Sequence, residues 1–542
     1  MKRYHFLLAP LFVMLSFVIG CHDEQKISPY QFQGNMDVRV TGDQTPSSDN
    51  TTTPPTITTT TTTNSQTPAA TTPQAPGTVP GTNVTNTTHD TTTTVQRPTY
   101  TPGDINGDGV REFLITAPFA VRGGNDVGAV DIYSSGNMTR LARLEGEQAG
   151  TFGTSVTMLG DLNDDGYEDF AVGDEGVVTV QGLPQALPSG QVIIFAGGSD
   201  LTSLRPLITL RGETAGDRFG AVVMSLGDIN GDARADFAVG APEFSGMNNG
   251  VPTSKSGKVY IYSGSDFAQI ATLESGKIET LLGASLALAG DTNNDGVREL
   301  MVGAPGITRS PGEVFLFPLS RLEGQVMTAN AQVTLTGETA GDNFGWAFVS
   351  MGDVDGDNMS EIAVSAPNAD TKWGRIYGFR GRDMSVASNL TVGGNSFPIL
   401  TCLPPFISVR NIPSVCGYSL ALIGDLNRNG TNELLIGSPG ANGQRGTVQA
   451  IDTNTLMGVM QITGMNARDS LGGNISVMFD IDGGDGIPEI MVAASFAGRG
   501  NGEVYIFSGA LARSGSIVDI TQASFTFQGQ NQENLGFSLF TP

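Results

Sequence analysis

From Tyr100 onward the apolar positions fall in short runs punctuated by Gly, Asp, Asn and Ser, and the same order of runs keeps returning. After Phe219-Gly220 one run passes through Val222 and Met224, and an acidic loop follows it. Phe237-Ala-Val-Gly-Ala-Pro242 is a second run, Lys258 to Tyr262 alternates as a third, and Ile270 to Leu273 is a fourth. Short, β-rich runs bounded by Gly and Pro predict strands and leave no room for long helices. The third run recurs behind a glycine at Gly128, Gly190, Gly257, Gly312, Gly374, Gly446 and Gly502. A repeat of about 60 residues with four strands in each copy indicates a repeat architecture.

Four-stranded units repeated radially make a β-propeller, and seven is within the usual range of blades. The predicted fold is therefore all-β, a seven-bladed propeller over residues 100–542. The first acidic loop has no opening strand before it, because Tyr100-Thr-Pro-Gly103 leads straight in. The last segment, Leu535-Gly536-Phe-Ser-Leu-Phe540, is an opening strand with no loop after it. Joined in space, the two ends complete one blade and close the ring.

The acidic loops join the first and second strands of each unit, and their chemistry is that of a hard-cation site. The seven candidate ligand sets are Asp104, Asn106, Asp108, Val110 and Glu112; Asp161, Asn163, Asp165, Tyr167 and Asp169; Asp228, Asn230, Asp232, Arg234 and Asp236; Asp291, Asn293, Asp295, Val297 and Glu299; Asp353, Asp355, Asp357, Met359 and Glu361; Asp425, Asn427, Asn429, Thr431 and Glu433; and Asp480, Asp482, Asp485, Ile487 and Glu489. Side-chain oxygens at positions 1, 3 and 5, a carbonyl at position 7 and a closing carboxylate at position 9 supply what calcium requires. A single Asp-x-Asn-x-Asp-Gly is an ordinary Asx turn, but seven in one register are not accounted for that way. Position 6 needs left-handed backbone. Gly109, Gly166 and Gly296 adopt it freely, Asn358 tolerates it, and Ala233 costs about 1–2 kcal/mol. Loop six has two carboxylates and loop seven an extra glycine, so five good sites, one weak and one uncertain are expected. Magnesium is the alternative ion, although carbonyl ligands and irregular loops suit calcium better.

Net charge is −25, with 54 acids against 29 Lys and Arg in 542 residues. That excludes nucleic acid as a natural partner, and much of the acidity reads as ligand supply. The 3 histidines, His5, His22 and His89, all lie outside the repeats, so the ring has no imidazole for a triad or a zinc site. No catalytic residue and no organic cofactor is expected. A carboxylate- or Lys/Tyr-based polysaccharide-degrading enzyme is the alternative reading.

Ahead of the repeats, residues 1–20 read as a secretory signal: Lys2 and Arg3, an apolar run from Phe6 to Ile19, then Cys21 as a lipidation site of bacterial lipoprotein type. Residues 21–99 read as a disordered tether, its Thr, Pro, Asn and Ser bias running from about Ser47 to Arg97. Together they predict export and attachment to an envelope membrane through an N-terminal lipid, with the outer membrane or cell surface favoured. Cys402 and Cys416 are expected to form one disulfide in such a compartment.

Phe-Gly, an acidic loop, then Gly-Ala-Pro resembles the FG-GAP repeat of the integrin α-subunit propeller and its bacterial relatives. The matching residues are Phe219-Gly220 with Gly240-Ala-Pro242, Phe344-Gly345 with Ser365-Ala-Pro367, and Leu282-Gly283 with Gly303-Ala-Pro305. Degenerate copies are Phe152-Gly153 with Gly173-Asp174, Cys416-Gly417 with Gly437-Ser-Pro439, and Leu471-Gly472 with Ala493-Ala-Ser495. The resemblance implies calcium loops on one face. It also implies adhesion, or binding of a protein or glycan ligand, on the opposite rim, where the loop lengths are irregular. Integrin leg domains are absent from the sequence.

Overall fold

The computed structural model describes residues 100–542, apart from 177–178, 181–182, 185–188, 249, 308, 388, 393–395, 402–413, 482–485 and 513–515. The signal, Cys21, the tether and Cys402 lie outside the described residues, as do Asp482 and Asp485.

Seven sheets, each built on four antiparallel strands and three of them carrying a fifth, parallel strand, follow one another in chain order. Blade two is typical: Ser155–Gly160, Asp169–Asp174, Gln191–Phe195 and Pro206–Arg211, running from inner to outer strand. The inner strands Ser155–Gly160, Val222–Gly227, Ser285–Leu288, Phe348–Gly352, Ser419–Ile423, Asn474–Met478 and Leu539–Phe540 pack each against the next, and the last packs against the first. That succession is a closed seven-bladed ring. Blade one takes its inner strand from the C-terminus, where Leu539 and Phe540 lie opposite Ile115 and Leu114. Only Leu539–Phe540 is strand; Leu535 to Ser538 forms the turn that feeds it.

The core lies between blades rather than at the ring axis. Leu114, Val130 and Ile132 of blade one pack with Phe152, Val156 and Phe170 of blade two in one buried cluster. Phe113 and Ile115 face the other way, onto Met491, Val504 and Phe527 of blade seven. Alternation along each strand therefore serves two cores at once, which is why the second strands are buried throughout.

The glycines of the repeat fix this packing by close approach. A Cβ on Gly190 would collide with the Phe219 backbone of the following blade, and one on Gly312 with that of Phe344. A Cβ on Gly240 would meet the Gly283 carbonyl in the same manner. The Phe-Gly amide is equally regular. Gly153, Gly220, Gly283, Gly345, Gly417, Gly472 and Gly536 donate to the carbonyls of Gly173, Gly240, Gly303, Ser365, Gly437, Ala493 and Thr116 at 2.9–3.1 Å. Thr116-Ala-Pro118 is thus the Gly-Ala-Pro element of blade one, matched to Leu535-Gly536 at the other end of the chain.

Among the described residues, three short strands within third-to-fourth-strand connections have no counterpart in the sequence pattern. Gly324–Met327, Asn389–Thr391 and Ser516–Asp519 leave the third-to-fourth-strand connections of blades four, five and seven. Each pairs in parallel with the outer strand of the preceding blade. They cover three sheet edges that would otherwise be open to pairing with another chain. Cys416 is buried and disulfide-bonded.

Candidate functional site: the acidic loops and the opposite rim

Each acidic loop is built on the carboxylate at position 1. Asp104 accepts the amides of Gly107 at 2.6 Å, Asp108 at 3.2 Å and Gly109 at 2.8 Å. Asp353 does the same for Gly356, Asp357 and Asn358, and Asp228 for Gly231, Asp232 and Ala233. Drawing three consecutive amides onto one carboxylate bends the backbone into the left-handed region twice. Position 6 has positive φ at Gly109, Gly166, Ala233, Gly296, Asn358, Gly430 and Gly486, as the loop pattern requires. Position 4 also has it, at Gly107, Asp164, Gly231, Asn294, Gly356 and Arg428. That second requirement was not read from the sequence, although Gly107, Gly231 and Gly356 signal it.

The closing acid at position 9 is the first residue of the second strand. One of its oxygens accepts the amide of position 2 in every loop: Ile105 to Glu112, Leu162 to Asp169, Ile229 to Asp236, Thr292 to Glu299, Val354 to Glu361, Leu426 to Glu433 and Ile481 to Glu489, at 2.6–3.0 Å. The other oxygen also reaches the third-to-fourth-strand loop in blades two, three and five, where Gly197, Gly264 and Gly381 donate to Asp169, Asp236 and Glu361. The acidic loops and these connections therefore share one face of the ring. Neighbouring loops are also tied together, since the Glu168 and Ser360 amides donate to the Asp104 and Asp291 carbonyls.

Burial of the closing acids pushes their carboxyls upward: Glu112 to about 8, and Asp169, Glu299 and Glu433 to about 7. Asp236 and Glu361 shift in the same direction for the same reason. Neighbouring acids add like-charge repulsion, from Asp104 and Asp108 at Glu112 and from Asp355 and Asp357 at Glu361. A desolvated carboxylate among like charges is the environment that an oxygen-coordinated dication relieves.

Convergence differs between loops. Among the described residues, Asp104, Asp108 and Glu112, and likewise Asp353, Asp355 and Glu361, bring ligand oxygens within 4.8 Å of one another. These oxygen-only sets fit calcium. At loop five Arg382 lies 3.3 Å from Asp355. In loop three Ser265 donates to Asp232 at 2.7 Å. Loop two is linked to loop three by an ion pair between Asp164 and Arg234. In loop seven Asp480 accepts the Gly486 amide at 2.8 Å, and Ile487 is buried.

The opposite face is made by the second-to-third-strand and fourth-to-first-strand loops, which bond to each other. The Glu279 amide donates to the Ser254 carbonyl, Val415 to Lys372, Arg468 to Gln444 and Asn534 to Gly500. Blades one, two and three carry hairpins here, Val121–Arg122 with Asn125–Asp126, Thr179–Val180 with Leu183–Pro184, and Gly246–Asn248 with Val251–Thr253, and Met247 is 70% exposed. Blades five, six and seven instead carry compact turns of left-handed residues: Asp370 to Lys372, Asn442 to Gln444 and Gly498 to Gly500. Between blades two and three, Arg218 pairs with Glu175 and Glu243, and Lys255 joins at Glu243. A cavity of about 470 Å³ opens between residues 338–342 and 368–375, lined by Glu338, Asp342, Asn368, Asp370, Lys372 and Arg375.

The FG-GAP repeat family model matches residues 101–133 and 219–262. The chain is 34% identical to integrin alpha-7 of Rattus norvegicus over 218 residues, which cover 38% of this chain and 18% of that protein. It is 30% identical to integrin alpha-8 of Mus musculus over 241 residues, 43% of this chain and 21% of that protein. The aligned stretch is thus about a fifth of the length of these relatives. Among solved structures, BBS1N, in the crystal structure of its complex with ARL6DN soaked with lead, aligns at 13% identity with a TM-score of 0.38. That alignment covers 72% of this chain and 89% of that chain.

Proposed function

We propose that this chain, which belongs with the FG-GAP propellers related to integrin α subunits, is a calcium-stabilised binding module that takes a protein or glycan ligand on the rim opposite its acidic loops. The observation that carries the reading is the division of labour between the two faces. One face repeats the same oxygen-rich loop seven times, each with its closing carboxylate buried in the second strand. The other varies from blade to blade, with hairpins, left-handed turns, a buried Arg218 network and an open cavity. Loops on a rigid scaffold that differ from copy to copy are where binding specificity is placed. Integrin α subunits, the relatives matched, are adhesion receptors, and the same role is proposed here.

Within this reading calcium is structural. It would be held by the position 1, 3, 5 and 9 oxygens of the competent loops, and it would neutralise carboxylates that burial and mutual repulsion disfavour. The chain's own groups do the rest: the position 2 and Gly197-type amides orient the closing acid, and position 1 organises the turn. Export as a lipoprotein through Cys21, and display from the tether at residues 21–99 on an envelope surface, complete the proposal. A segment of that composition suits a receptor held away from a membrane.

The experiment is a binding screen of the purified 100–542 ring against extracellular-matrix proteins and glycans. Any hit is repeated with substitutions on each face. Loss of binding on changing Met247 or Arg375, with binding kept in variants of acidic-loop residues that remain folded, supports the assignment. Binding that survives every change on the irregular rim refutes it.

A further inference from the structure

Loop six departs from the others at position 5. Asn429 stands where loops one to five have Asp108, Asp165, Asp232, Asp295 and Asp357. A compensating carboxylate sits nearby. Asp452 ends the third strand of blade six, lies directly across from the closing acid Glu433 and is 1% exposed. The corresponding partner is Ser134 across from Glu112 and Pro318 across from Glu299, neither of them an acid.

Asp452 spends its full acceptor capacity on protein donors. Its Oδ2 accepts from Asn429 Nδ2 and Thr431 Oγ1, both at 2.5 Å. Its Oδ1 accepts from the Thr455 amide at 2.6 Å and the Thr455 hydroxyl at 2.7 Å. An ionised carboxylate offers about four lone-pair sites, and these contacts occupy them, with the single Thr431 hydroxyl proton shared between Asp452 and Asn429 Oδ1, 2.6 Å away. Glu433 is similarly engaged, by the Leu426 amide at 2.6 Å and by Asn427 Nδ2 at 2.7 Å. In loops one and four the position 3 amide stands farther from the closing acid, at 3.5 Å and 3.3 Å.

We infer that Asp452 closes loop six in place of a metal ion, so that blade six keeps its loop geometry without calcium. The Asp-to-Asn change at position 5 and the acid at the end of the strand are then one exchange. An aspartate at 429 would repel Asp452, whereas the asparagine amide donates to it and Thr431 adds a second donor. Charge-assisted hydrogen bonds at these distances fix the loop's shape without an ion, while Asp452 adds a negative charge beside Glu433 instead of neutralising it. The contrast with those loops rests on their calcium reading, but the lock itself does not.

The test is thermal unfolding of the purified protein, with excess calcium and with chelator, for the parent, Asp452→Asn and Thr431→Val, together with bound-calcium counts by native mass spectrometry. Asp452→Asn is expected to lower the melting temperature by on the order of 2–4 °C equally in calcium and in chelator, with no change in the ion count. Thr431→Val, which removes a single donor, should show a smaller drop of the same metal-independent kind and covers the case in which Asp452→Asn fails to fold. A drop confined to the calcium arm, or the loss of one bound ion, would make Asp452 a ligand and overturn the inference. No drop in either arm would overturn it as well. A parent that melts identically in both arms removes the calcium reading of the other loops, while the chelator arm still decides the lock.

Discussion

Thr116 and Ser538, 422 positions apart, exchange two hydrogen bonds: the Thr116 amide donates to the Ser538 carbonyl at 3.1 Å, and the Ser538 amide donates to Thr116 Oγ1 at 2.9 Å. Beside them the Gly536 amide reaches the Thr116 carbonyl at 2.9 Å. Arg143, which holds the buried Asp131, also pairs with Glu533 at the same seam. The two ends of the folded region are therefore parts of one blade.

Deleting Leu535 to Pro542 removes the inner strand of blade one and uncovers Phe113, Ile115 and Val504, all fully buried in the intact ring. Because each blade is stabilised by its neighbours, the loss should spread beyond the seam. The truncated protein is expected to aggregate or to become protease-sensitive throughout, as read by light scattering and limited proteolysis. A monomer that melts cooperatively near the parent temperature would show that the C-terminal strand is dispensable.

Gly190→Ala tests the close approach between blades. Gly190 needs no left-handed backbone, and its missing Cβ is the only thing that lets the Phe219 backbone sit where it does. The substitution should cost roughly 2–4 kcal/mol in chemical denaturation, since backbone must move to relieve the clash. Gly198→Ala is the control: open space surrounds that position, and a change within about 0.5 kcal/mol is expected.

Ala233→Gly should stabilise the metal-free protein. Ala233 sits at φ +68°, where a Cβ costs about 1–2 kcal/mol. Glycine costs about 0.4–1 kcal/mol in unfolded-chain entropy, so a net gain of up to about 1.6 kcal/mol is expected by equilibrium unfolding. A loss of stability would mean that the left-handed turn is not strained by alanine.

The ring, its blade count and its closure were legible because each depends on a pattern repeated seven times. The Phe-Gly turns, the strand-three glycines and the Asp at position 1 mark the same geometry in every copy. What escaped was local and unrepeated. Gly324–Met327, Asn389–Thr391 and Ser516–Asp519 are short strands within long connections, and pairing in parallel with another blade leaves no period in their own sequence. Asp452 was hidden for a similar reason, since it acts on loop six from the third strand. Thr116-Ala-Pro118 escaped because its Leu535-Gly536 partner lies at the far end of the chain. The left-handed backbone at position 6 of the acidic loops was legible, but the same requirement at position 4 is masked by Asp164 and Arg428, which adopt it without being glycine.

The account stands most directly on what calcium does to the whole ring. Ten-fold above its dissociation constant an ion adds about 1.4 kcal/mol per site, so five independent sites add about 7 kcal/mol, which is comparable to the net stability of a domain. The deciding measurement is the thermal melting curve of the 100–542 ring in chelator, then in excess calcium, then in excess magnesium. The account predicts a melting temperature lower in chelator by on the order of 10 °C, restored by calcium and less well by magnesium. Three superimposable curves would contradict it and leave the acidic loops as turns alone.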